Sequence, residues 1–177
     1  MDLGGLVHKI PTPIKQQIKA RVYPDLLREG ETVPEWILQS YDSTWFRHDN
    51  RKWTIMVFYP GDDTPGCTAQ LQDFQAHYAR FKELGAEVYA INPAESDSHQ
   101  AFAEQYGFEF PVLTDRGASV SRQFRAAIQL PLKNIILRTV YLVNPQRKIR
   151  LANRGAPPAE ALIRSIEALQ QATRKGM

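Results

Sequence analysis

Cys67 is the only cysteine in the chain, and it closes the string Pro60-Gly61-Asp62-Asp63-Thr64-Pro65-Gly66-Cys67. An apolar run, Trp53 to Tyr59, precedes this string, and an amphipathic helical pattern follows it. A thiol at such a strand-to-helix junction faces the positive end of the helix dipole, and the thiolate is the reactive form of cysteine. Cys67 is therefore either an activated nucleophile or an inert small hydrophobe that packs as alanine would. The polar Thr-Pro-Gly-Cys turn favours the first, since it is a poor place to hide an inert thiol.

The turn reads as a helix start. Thr64 is the N-cap, whose hydroxyl accepts from a free N–H of the first turn. Pro65 at N1 loses no hydrogen bond. Gly66 at N2 removes bulk beside the sulfur and lets a small ligand approach the backbone. Cys67 then stands at N3, where a capping box carries Glu or Gln. A free cysteine titrating at about 8.5 is only roughly 3% ionised at pH 7, and a mostly ionised one needs about 3.4 kcal/mol of differential stabilisation. A helix end supplies about 0.3–1 kcal/mol, rising to about 2 when partly buried. The helix is thus insufficient, and a cation or an added hydrogen bond from Thr64 must supply the rest.

The elements that must position this turn follow from periodicity. Trp53–Tyr59 suits a strand covered on both faces. After Cys67, Leu71, Phe74, Tyr78 and Phe81 recur at helical steps to about Leu84, and Gly85 is a good C′ stop. Strands are expected at Trp36–Leu38, Trp45–Phe46, Ala86–Ile91, Phe110–Thr114, Ile135–Val143 and Lys148–Ala152. Helices are expected from Ser96 or Asp97 to Gly107, over Ala118–Ala126, and from Pro157-Pro158 through Leu169. Alternating strands and helices imply an α/β domain with a central sheet, made mixed by the hairpin near the end. The reactive turn lies beyond the C-terminal end of a central strand, where open α/β sheets place their ligands. Residues 1–30 read as an N-terminal extension with a short helix from Thr12-Pro13, and residues 31–177 as the domain. Ile14, Ile18 and Val22 on that helix suit docking on the domain itself or on a partner subunit.

Composition excludes several classes. One cysteine leaves no intrachain disulfide and no multi-cysteine zinc site, which suits a reducing compartment; cytoplasmic is the default location. A net charge of +3, scattered along the chain, suits a solvated surface rather than nucleic-acid binding. No apolar run reaches the roughly 18 residues of a membrane span. His8, His48, His77 and His99 show no ligand spacing and no dyad with Cys67, so neither a metal, a cofactor nor a Cys–His hydrolase site is expected.

Pro60, Thr64 and Cys67 fit Pro-x-x-x-Thr-x-x-Cys, and the chain resembles the peroxiredoxins, in particular the bacterioferritin comigratory protein (peroxiredoxin Q) group. The likeness continues in Ser96-Asp97-Ser98-His99-Gln100-Ala101-Phe102, in Phe110-Pro111-Val112-Leu113-Thr114-Asp115 and in Arg138-Thr139-Val140-Tyr141-Leu142-Val143, and it spans about residues 31–170. It implies a thioredoxin-like fold and thiol-dependent reduction of peroxides. Cys67 would be the peroxidatic nucleophile, and Thr64 would hydrogen-bond the thiolate and the attacked peroxide. Arg138 would supply the missing cation, and Pro60 would shield the sulfur and shape the pocket.

The departures are informative. Where the group often carries a resolving cysteine, five residues on, stands Gln72, so the chain resembles a one-cysteine peroxiredoxin. The family's common Glu three residues after the cysteine is Gln70, which by itself reads as a solvated helix residue. The usual Asp-x-x-Gly turn is Asn144-Pro145-Gln146-Arg147. Partners are then a peroxide and an external thiol reductant such as thioredoxin, glutaredoxin or glutathione, with the protein a monomer or homodimer. The competing reading is a thioredoxin-fold redox-sensing or binding module whose Cys67 oxidises slowly. A dithiol oxidoreductase would need a Cys-x-x-Cys pair, which is absent.

Overall fold

The computed structural model describes residues 11–14, 16 and 22–177. In chain order the strands and helices are β1 (Ile37–Ser40), β2 (Trp45–Arg47), β3 (Trp53–Phe58), α1 (Pro65–Ala76), α2 (Tyr78–Glu83), β4 (Ala86–Asn92), α3 (Ser96–Tyr106), β5 (Val112–Thr114), α4 (Ser119–Gln123), β6 (Ala127–Gln129), β7 (Asn134–Ile136), β8 (Thr139–Val143), β9 (Ile149–Arg154) and α5 (Ala159–Lys175).

The apolar run becomes β3, and its neighbours explain its composition. It lies between β4, parallel to it, and β8, antiparallel to it, in a seven-stranded mixed sheet of order β2-β1-β5-β4-β3-β8-β9. Residues along β3 alternate between two cores. Ile55 and Val57, followed by Tyr59, join Cys67, Leu71, Phe74, Phe81, Phe102 and Ile163 on one face. Met56 and Phe58 join Tyr89, Ile91, Phe124 and Tyr141 on the other. Both faces are buried, so the strand has no polar side to show water.

Two expected elements are divided. The helix after Cys67 breaks at His77, whose φ of −105° and ψ of 4° leave the helical region. His77 Nδ1 sits 2.8 Å from the Asp73 carbonyl, which would otherwise continue the ladder. The strand expected over 135–143 is two strands in two sheets: β7 pairs only with β6 in a small hairpin, while β8 enters the main sheet. Arg138 stands in the gap between them. Gly85 and Gly107 end α2 and α3 with φ of +69° and +67°, as their positions suggested.

The helix expected near Thr12 lies largely outside the described residues. The following segment is tied to the domain: Gly30 N–H donates to the Ile149 carbonyl at 2.8 Å and Val33 N–H to that of Arg147 at 2.9 Å. Leu27 is buried in the second core. Its N–H donates at 3.2 Å to the Tyr141 hydroxyl, which donates in turn to the Phe124 carbonyl at 2.7 Å. Among the described residues, no helix is long and apolar enough to cross a membrane.

Tyr141→Phe leaves the Leu27 N–H and the Phe124 carbonyl buried without this partner, so a loss of about 1–3 kcal/mol in urea-unfolding stability is expected. A loss under about 0.5 kcal/mol would show that the hydroxyl does not hold the segment.

Candidate active site

The start of α1 is built as the sequence suggests, except at one hydroxyl. Thr64 is the N-cap in an extended conformation, followed by Pro65, and its carbonyl accepts the Thr68 N–H at 2.8 Å. Its side chain caps nothing. The hydroxyl instead reaches back to the Gly61 carbonyl at 3.4 Å. The expected capping bond is therefore absent, and the sulfur's hydrogen-bond donor is not Thr64 but Arg138. The first turn holds no acidic residue, so no carboxylate competes with Cys67 for the helix end.

Cys67 is fully buried. Arg138 Nη2 donates to its Sγ at 3.2 Å, within the 4 Å reach of a sulfur hydrogen bond. The other guanidinium nitrogen, Nη1, donates to Gln70 Oε1 at 2.6 Å and to the Gly66 carbonyl at 3.3 Å. A planar fork fixed at one end by a neutral amide is aimed without losing its charge. Among the described residues Arg138 belongs to no ion pair. Gly66 is what permits the approach: a Cβ there would stand 3.3 Å from Arg138 Nη2. The close visitor is thus a side chain of the same protein as well as any ligand. Gln70 is not the solvated residue expected; it is buried, because α1 turns that face onto Arg138.

The loop before α1 holds a second cluster, which the sequence did not reveal. Asp62 Oδ1 accepts from the Tyr59 hydroxyl at 2.6 Å and from Asn92 Nδ2 at 2.8 Å. Its Oδ2 accepts from the Ser98 hydroxyl at 2.6 Å and lies 2.8 Å from His99 Nδ1. A carboxylate can only accept, so the His99 proton facing it sits on Nδ1. Burial alone would raise the Asp62 carboxyl, but hydrogen bonds from His99, Ser98 and Tyr59 outweigh it and hold the pKa at about 2. Burial and the neighbouring Asp62 charge push the Tyr59 hydroxyl well above its usual range. Asp63 takes a left-handed φ of +52°, which Asp tolerates in turns, and accepts from the Tyr106 hydroxyl at 2.7 Å. Pro60 lies exposed at the head of this loop.

Cys67 and Arg138, 71 residues apart, are thus brought together, with Thr64 one turn away and Pro60 at the loop's far end. Gln70 and Asp62 were missed. Gln70 could have been flagged by its helical step from Cys67, whereas Asp62 read as an ordinary turn residue. A surface cavity of about 810 Å³ lies at the other end of β3 and β4, lined by Trp36, Trp45, His48, Glu87 and Arg147 among others, and does not reach the thiol.

The fold and site define a thioredoxin-fold thiol enzyme: a mixed sheet whose central strand delivers one cysteine to a helix N-terminus beside an arginine that, among the described residues, belongs to no ion pair. Residues 30–152 match the AhpC/TSA family, and the chain belongs to that family; it is a peroxiredoxin, a thiol-dependent peroxidase. It is 28% identical over 166 residues to the chloroplastic peroxiredoxin Q of Gentiana triflora, covering 92% of this chain and 76% of that one. The crystal structure of peroxidoxin BcpB from Mycobacterium tuberculosis superposes with a TM-score of 0.76 at 25% identity, over 80% of this chain and 97% of that one. The bacterioferritin comigratory protein of Xanthomonas campestris, described for its alkyl peroxide reduction activity, gives 0.71 at 25% identity, over 82% and 98%.

The Asp62 carboxyl has a pH signature. Its folded pKa of about 2 lies below the ordinary 3.8, so its contribution is complete above pH 4 and is lost as pH falls toward 2. The contribution is about 2 kcal/mol. Unfolding free energy measured between pH 5 and pH 2 should fall more steeply for the parent than for Asp62→Asn. Parallel curves would show that this carboxylate adds no acid-labile stability.

Proposed function

We propose that Cys67 is the peroxidatic nucleophile of a one-cysteine peroxiredoxin. The observation that carries this reading is the 3.2 Å contact between Arg138 Nη2 and Cys67 Sγ at the first turn of α1. A cation and a helix N-terminus beside the sulfur are the surroundings in which cysteines act as nucleophiles. The thiolate attacks the terminal oxygen of a hydroperoxide. A sulfur–oxygen bond forms, the O–O bond breaks, and the departing oxygen takes a proton and leaves as water or an alcohol. Arg138 and the free N–H groups of the first turn stabilise the charge on that oxygen. The Thr64 hydroxyl is held only by a 3.4 Å contact, at the weak limit of hydrogen bonding, and can rotate toward the peroxide. Pro60 borders the loop on the solvent side and limits access to the sulfur.

The sulfenic acid left on Cys67 has no second cysteine in the chain to meet. An external thiol attacks it, releasing water and forming a mixed disulfide, and a second thiol reduces that to Cys67 and a free disulfide. A thioredoxin, a glutaredoxin with glutathione, or a similar thiol fits this step. Because Sγ is fully buried while Thr64, Pro65 and Gly66 are exposed, the bulky reductant reaches sulfur only when the first turn of α1 opens. A reducing compartment suits such a cycle, and we assign the protein to the cytoplasm, as a monomer or homodimer.

Stopped-flow oxidation by hydrogen peroxide tests the reading. Cys67 should react orders of magnitude faster than a free thiol, Cys67→Ser should consume none, and Arg138→Ala should lose roughly 10²–10³ in the oxidation rate constant. A parent rate no better than that of a free thiol would favour the slow redox-sensing module instead. Thr64→Val should slow oxidation by roughly tenfold yet change stability by less than about 0.5 kcal/mol, since no capping bond is lost. A large stability loss would restore the ordinary capping role.

A further inference from the structure

The reactive turn is a short bridge between two rigid bodies. It leaves β3 after Phe58 and enters α1 at Pro65, and the position of Cys67 relative to Arg138 depends on the path between. That path has one residue whose side chain faces inward with every acceptor position engaged. The Asp62 side chain is 5% exposed and its His99 partner is fully buried. The four donors come from three places: Tyr59 from the end of β3, Asn92 from the end of β4, and Ser98 and His99 from the first turn of α3. None of these residues touches Cys67 by a hydrogen bond, and none is used in the steps above.

A buried carboxylate with four donors is costly to assemble and does not recommend itself as a stability device, because apolar replacements are often as stable. It does fix geometry, since each bond constrains direction as well as distance. Its ties run from the sheet and α3 to the loop, two residues before the N-cap. We propose that Asp62 is the positioning residue of the peroxidatic turn: its four hydrogen bonds hold the 60–64 loop against β4 and α3, and thereby hold Cys67 Sγ against the Arg138 guanidinium. The proposal rests on the peroxidase reading for its rate readout, but not for its second readout.

The direction of the effect distinguishes positioning from simple electrostatics. Asp62 is an anion beside the site. If it acted through its charge alone, removing that charge would favour the thiolate, and Cys67 would alkylate faster at lower pH. If it positions the turn, removing its bonds lets Sγ drift from Arg138, and the thiolate becomes harder to form.

The experiment compares parent, Asp62→Asn and Ser98→Ala by two measurements on the folded proteins: the hydrogen peroxide oxidation rate of Cys67, and the pH profile of its alkylation by iodoacetamide. Asp62→Asn should lower the oxidation rate constant tenfold or more and move the alkylation profile to higher pH. Ser98→Ala, which removes one of the four bonds at the surface, should do the same by twofold to fivefold and decides the matter if Asp62→Asn does not fold. Unchanged rate and profile, with only a lower unfolding temperature, would make Asp62 purely structural and overturn the proposal. A profile moved to lower pH would overturn it in favour of a charge effect. A parent whose peroxide rate matches a free thiol removes the peroxidase reading instead, and the alkylation profile still decides on Asp62.

Discussion

The contact between the Arg138 guanidinium and the Cys67 sulfur is the constraint on which the rest of the site depends. A helix N-terminus alone stabilises a thiolate by too little to ionise an ordinary cysteine near neutrality, and the guanidinium is the positive charge that the fold sets beside the sulfur. The contact requires two chain segments 71 residues apart to converge, and most local oddities of the structure serve that convergence. The break between β7 and β8 leaves Arg138 outside both strands. Gly66 leaves room for the guanidinium where a Cβ would crowd it. Gln70 holds the far nitrogen with an oxygen that carries no net charge, so the fork is oriented but not neutralised.

The sheet's contribution is rigidity at the right place. β3 is buried on both faces and paired on both edges, so its C-terminal end is among the least movable points of the fold. A loop that begins there inherits a fixed origin. The Asp62 cluster fixes the same loop a second time, from β4 and α3. The two fixations steady the loop that leads to Thr64 and Cys67, and pre-organised charge stabilisation requires groups so held.

The single cysteine gives the site a division of labour. A hydroperoxide needs little room to meet the sulfur. A thiol reductant needs the sulfur exposed, and Cys67 is fully buried in the folded protein. The Thr64 hydroxyl makes only a 3.4 Å contact, and no side-chain cap closes the first turn of α1. The anchoring lies upstream, at Asp62, and along the buried face from Gln70 to Phe74.

Much was decided by sequence alone. The run Trp53–Tyr59 could only be a doubly covered strand, Thr-Pro-Gly-Cys could only begin a helix, and Gly85 and Gly107 marked helix ends, because these signals act over a few residues through sterics and local hydrogen bonding. The solitude of Cys67 and its need for an outside thiol are likewise properties of the chain. Tertiary structure decided what depends on partners distant in sequence. The burial of Gln70, the split at Arg138 and the bonds to Asp62 from Asn92, Ser98 and His99 are each settled by a partner from another element, whereas the Thr64 hydroxyl turns to Gly61 and Asp62 meets Tyr59 within three residues. A turn aspartate and a helix histidine carry no periodicity that would announce their meeting; only the packing of α3 against the end of β4 brings His99 to Asp62, and with it a fixed loop beside the thiol.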